Sequence, residues 1–76
     1  MTPAQCRAAR ALIGMSQATL AGRAVVTAGA IMNFENGTGT PRPSDVGSIR
    51  AALEKAGVVF INGDEPGVKL RRGSAK

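Results

Sequence analysis

Residues 16–37 read SQATLAGRAVVTAGAIMNFENG, and the reading of this stretch decides the fold. Ser16 suits a helix N-cap, its hydroxyl accepting from an otherwise orphaned backbone N–H. Leu20, Ala21 and Ala24 then fall on one helical face. Thr27 supplies a second start signal. Ala30, Ile31 and Phe34 recur at helical spacing, and Gly37 after Asn36 suits a left-handed stop. Two apolar stripes so close in sequence are buried only when the helices fold against each other, the geometry of a helix-turn-helix.

Upstream, Thr2 and Pro3 make a helix start, and Cys6, Ala9 and Ile13 share a face until Gly14 ends the helix. Met15 then packs beneath the turn into Ser16. Arg7 lies off the apolar stripe, where it is solvated, whereas Arg10 lies on it. An arginine on a core face is costly unless a carboxylate meets it, and Glu35 is the one acid of the helix-turn-helix stretch. Arg10 and Glu35 are therefore expected to pair. The other reading is two independent surface charges, worth under about 1 kcal/mol.

Downstream of Gly37, residues 38–43 are too rich in Pro and Gly for regular structure and form a loop. Ser44 is expected to cap a fourth helix, with Val46, Ile49, Leu53 and Ala56 closing over Ile31 and Phe34 until Gly57 stops it. Val58-Val59-Phe60-Ile61 is then a β-branched and aromatic run, Asn62-Gly63 a turn, and Val68-Lys69-Leu70-Arg71 an alternating strand. The expectation is a mainly α chain: a helical bundle over 1–57, a C-terminal β-hairpin over 58–72, and a disordered basic tail over 73–76. A lone hairpin is barely stable in water, so this one docks on its own helices or pairs with a second copy. The sequence admits both.

Composition narrows the function. At 76 residues there is one domain with a small core, burying about 60–65% of its unfolded surface. Ten Lys and Arg against five Asp and Glu give a net charge of +5, which favours a polyanionic partner. No apolar run approaches the roughly 20 residues of a membrane span, and no secretory leader opens the sequence, so a cytoplasmic location is expected. A single Cys and no His leave no internal disulfide and no Cys/His metal site. With no His and scattered acids, acid–base catalysis lacks its usual groups, and no enzyme activity or cofactor is expected.

Gln17 after the cap, Leu20-Ala21, the turn Ala24-Val25-Val26-Thr27, Ile31, and Phe34-Glu35-Asn36-Gly37 together resemble the helix-turn-helix of the lambda-repressor-like (Cro/XRE-type) DNA-binding proteins. The likeness takes in Arg10 and the segment around Pro41, Arg42 and Pro43. It implies a four-helix lambda-repressor-like bundle in which Arg10 and Glu35 form a structural ion pair. It also implies a sequence-specific transcriptional regulator of bacterial or phage origin, most simply a repressor. Such a protein acts as a homodimer on double-stranded DNA in the nucleoid, with RNA polymerase or another regulator as a further partner. Two departures stand out. A hairpin replaces the family's common fifth helix, and Val25 occupies a turn position where the family often has Gly. A β-branched residue with positive φ there is strained by roughly 1–2 kcal/mol.

A DNA reader needs a protruding helix flanked by phosphate-binding donors. The helix 27–36 suits the major groove, with Thr27, Ala28, Gly29 and Asn33 as base-reading candidates and Asn33 offering paired donor and acceptor atoms to adenine. Ser16, Gln17, Asn36, Thr38, Thr40 and Arg42 are the phosphate-binding candidates, and Gln17 is a backbone clamp in the resembled family. Ala28 and Gly29 stand where that family commonly carries polar base-reading side chains. Two alternatives stay open for this reason: a protein-interaction module of antitoxin-like or adaptor type, and a nucleoid-type binder of low sequence preference.

Overall fold

The computed structural model describes residues 1–71. Four helices precede a two-stranded antiparallel hairpin: α1 (Pro3–Ile13), α2 (Gln17–Ala24), α3 (Ala28–Asn36), α4 (Pro43–Lys55), β1 (Val58–Ile61) and β2 (Gly67–Leu70). This is the mainly α architecture expected from the helical stripes and the β-branched run. The tail expected over 73–76, and Arg72 before it, lie outside the described residues.

Each of the first three helices is started by a hydroxyl. Thr2 accepts from the backbone N–H of Gln5, Ser16 from that of Thr19, and Thr27 from that of Ala30. At Thr2 the cap is reciprocal, because the Gln5 amide oxygen accepts from the Thr2 N–H at 2.8 Å. The fourth helix departs from the sequence expectation. It begins at Pro43, with Arg42 at the N-cap and no side-chain cap, so Ser44 lies inside the first turn. Proline fixes the φ of the first helical residue and has no N–H to satisfy, which starts the helix two residues before a Ser44 cap would.

The core gathers one stripe from every helix and from β1: Cys6 and Ala9, Leu20, Ala21 and Ala24, Ile31 and Phe34, Ile49 and Leu53, and Val58 and Phe60. The fourth helix packs chiefly against α2 and only lightly against α3, so the expectation that it closes over Ile31 and Phe34 describes its minor contact. Within the hairpin, Val58 pairs with Leu70 and Phe60 with Val68 on the covered face, while Lys69 is exposed opposite Val59. Strand β2 lies on α1 and β1 on α4. Gln5, only 4% exposed, donates from its amide nitrogen to the carbonyls of Ile61 (3.0 Å) and Gly67 (3.1 Å), the register pair nearest the turn. One buried side chain thus caps a helix at one end and ties the hairpin to it at the other. On α4, the Arg50 guanidinium lies 5.4 Å from the centre of the Phe60 ring and covers it.

Three residues, 25–27, join α2 to α3. Val25 adopts φ 58° and ψ 46°, the left-handed region, and is 88% exposed. Its N–H reaches back to Gly22, and the N–H of Val26 closes on the Ala21 carbonyl at 3.0 Å. The turn is therefore a conventional helix stop built on a residue ill suited to it, and the exposed side chain gains no packing in return. Val25→Gly is expected to raise stability by about 1 kcal/mol, the relieved strain being partly offset by the larger chain entropy of glycine. Urea denaturation followed by circular dichroism measures this directly. An unchanged or lower midpoint would show that the corner is not strained.

Candidate nucleic-acid interface

The third helix presents two contrasting faces. Ile31 and Phe34 are buried, and so is Glu35, at 2% exposure. Ala28, Gly29, Met32, Asn33 and Asn36 are exposed. Because the helix's one acid is turned inward, its outer face carries no negative charge.

What Glu35 meets inside explains how it stays there. Arg10 donates from Nε to Oε2 and from Nη2 to Oε1, both at 2.7 Å, in a two-pronged ion pair. Gln17 donates its amide to Oε1 at 3.0 Å, and the Cys6 thiol donates to Oε2 at 3.1 Å. Burial pushes the Glu35 carboxyl up, but the hydrogen bonds from Arg10, Gln17 and Cys6 and the charge on Arg10 outweigh it and hold the group below its usual range. The Cys6 thiol goes the other way. Burial, reinforced by its hydrogen bond to Glu35 and by that negative charge, pushes it up to about 12. Arg10 also donates to the Met15 carbonyl at 3.2 Å.

Arg7 is exposed, as a solvated residue should be, but its guanidinium also donates to the main-chain carbonyl of Glu35 and so satisfies the last turn of α3. Nothing in the local sequence signals this contact. Helices α1, α2 and α3 are thus joined at the C-terminal half of α3 by one hydrogen-bonded group.

Beside α3 the chain doubles back to form an open concavity of about 310 Å³ between α3 and the start of α4. Of the candidates named from the sequence, Thr27, Gly29, Asn33, Thr40 and Arg42 line it together. Ala28 lies outside it. Thr38 is adjacent, its hydroxyl donating to the Asn33 side-chain oxygen at 3.3 Å and its N–H to the Asn33 carbonyl at 2.9 Å. This fixes the Asn33 amide with its NH₂ group still free of protein partners among the described residues. Asn36 is exposed at the last position of α3.

Ser16 and Gln17 stand apart from this group, at the N-terminus of α2. The Ser16 hydroxyl is occupied with Thr19, both as acceptor from its N–H and as donor to its hydroxyl. One N–H of the Gln17 amide belongs to Glu35, so what Gln17 can still offer a phosphate is its second amide hydrogen and the helix N-terminus. Asp45 and Ile49 also line the concavity, and no motif in the sequence points to them as site residues. Asp45 suits the first turn of α4, where a negative charge favours the helix dipole, and it places one carboxylate near Arg42 on the rim.

Among the described residues no group of His, Cys, Asp and Glu could hold a metal ion, and no helix is long and apolar enough to cross a membrane. Compared with known proteins, the chain matches no family model and no curated sequence.

Proposed function

We propose that this protein is a sequence-specific, double-stranded-DNA-binding transcriptional regulator that inserts α3 into the major groove. The observation that carries the reading is the composition of α3's surroundings. The outer face of α3 is free of acid, and Asn33, Thr40 and Arg42 line one concavity along its flank, with Asp45 as the one carboxylate there. A helix of this kind matches the width of the major groove, and the donors beside it stand where a phosphate ridge would pass. A homodimer would place two such helices one turn of DNA apart, about 34 Å. Acting in the cytoplasm as a repressor it would occupy a promoter, and contact with RNA polymerase would use the same fold. No cofactor or catalytic step enters this reading.

A second reading, docking of a protein on α3, draws on the absence of any cation from that helix and on Met32, 47% exposed. Salt separates the two. Each phosphate neutralised contributes about 0.9 to the slope of log affinity against log salt. Two copies of Arg42 alone should therefore weaken binding to a random-sequence duplex about tenfold between roughly 50 and 200 mM salt. Arg42→Ala should weaken all duplexes alike and flatten that slope. Asn33→Ala should relax the preference at one base pair and leave affinity for random sequence nearly intact. Fluorescence anisotropy on labelled duplexes reads both effects. No binding at any salt would overturn the DNA reading and favour the protein partner.

A further inference from the structure

The outer face of α3 is unusual for a surface that meets a polar groove. Ala28 and Met32 are one helical turn apart on the same side, and both are exposed. Gly29 beside them is bare without any internal reason, since a Cβ there would meet only the Thr27 hydroxyl oxygen, at an ordinary 3.8 Å. Of the large apolar side chains exposed among the described residues, Met32 is the one on α3. Of the polar groups nearby, Asn36 is exposed at the end of the helix and the Asn33 NH₂ stays available for a contact of its own. Asn33 is steered by Thr38, and Thr40 and Arg42 lie on the flank rather than on the helix. The outer face of α3 thus carries an exposed apolar strip, Ala28 and Met32, beside the amides of Asn33 and Asn36.

In the major groove the one apolar feature that varies with sequence is a methyl group on pyrimidine C5, carried by thymine and absent from cytosine. We infer that α3 reads pyrimidine C5-methyl groups through Ala28 and Met32, so that the protein selects methyl-bearing steps beside the base pair that Asn33 reads. This rests on the proposed entry of α3 into the major groove. Both side chains suit a methyl. Ala28 is short enough for one to rest against it, and the thioether chain of Met32 is unbranched and adapts to the methyl's position. Polar contacts along the flank hold the register while the strip discriminates.

The methyl has two natural sources, thymine and 5-methylcytosine, and the test separates them. Duplexes enriched from a random-sequence pool are resynthesised with uracil in place of thymine, which deletes the methyl and leaves every hydrogen-bonding edge intact. A second random pool carries uracil together with 5-methylcytosine. Affinity of the enriched duplexes should fall about fourfold for each contacted methyl removed. Met32→Ala, at a half-exposed helical position that alanine suits, should lose most of the difference between thymine and uracil duplexes. Enrichment of new sites from the 5-methylcytosine pool would show that either source serves, and its failure would restrict the reading to thymine. Equal affinity for thymine and uracil duplexes, or discrimination unchanged in Met32→Ala, would overturn the inference and leave DNA binding standing. Absence of salt-dependent binding to the thymine pool would overturn both.

Discussion

Glu35→Ala is expected to unfold most of the protein at room temperature. Glu35 accepts four hydrogen bonds, two from Arg10 and one each from Gln17 and Cys6. Its removal leaves a largely covered guanidinium without a counter-ion. Breaking a buried pair in this way costs about 3–5 kcal/mol, and a domain of this size seldom has more than about 5 kcal/mol in total. Glu35→Gln should fare little better, because an amide brings its own donors to a site already crowded with them. The double variant Arg10→Met with Glu35→Leu should be more stable than either single change, since it leaves no orphaned charge. Urea melts of the native protein, the two single variants and the double variant provide the cycle, and additive losses would show that the pair is not coupled.

The same carboxylate ties stability to pH. Its folded-state pKa lies below the unfolded value, so unfolding takes up a proton and acid favours the unfolded chain. The contribution is fully present above about pH 4.5 and is lost as pH falls through the depressed folded-state value. Melting temperatures of the native protein should therefore drop steeply below about pH 4.

Removing the hairpin should be as severe. A chain of residues 1–57 lacks Val58 and Phe60, both core members, and the two carbonyls that receive the Gln5 amide. Burial of the two side chains alone is worth about 1.5–3 kcal/mol each, comparable to the stability of the whole. The shortened chain should show helical circular dichroism at most in part and no cooperative thermal transition, while the full chain should melt in one sharp step. A sharp transition in the 1–57 chain would mean that the hairpin is an accessory to the bundle.

These two sites also show what sequence can and cannot reveal. The stripes of α1 to α4 are legible because helical spacing is local, and so are Ser16, Thr27 and Gly37 at the helix ends. The partner of Arg10 is legible by elimination, since a charge on a core face has few options and Glu35 is the one acid of the helix-turn-helix stretch. Gln5 is half legible: its position three residues after Thr2 is a recognisable capping signature, but its second role depends on carbonyls 56 and 62 residues away. The start of α4 falls two residues earlier than expected because Ser44 is a good cap and Pro43 a better first residue. Asp45 and Ile49 join the concavity only through the path of the loop before them, which no local pattern encodes. Nor can the sequence choose between docking and pairing for the hairpin, whereas its apolar face in fact covers α1 and α4.

Cys6 gives the molecule a clock of its own. It is the chain's single cysteine, it has no exposed surface, and its proton is held far more tightly than that of a free thiol. An alkylating reagent needs the thiolate and needs access, and the closed bundle offers neither. Every modified molecule has therefore opened first. The labelling rate in excess reagent reports how often α1 lifts away, which makes quantitative mass spectrometry of one atom a measure of lifetime for the whole assembly of helices.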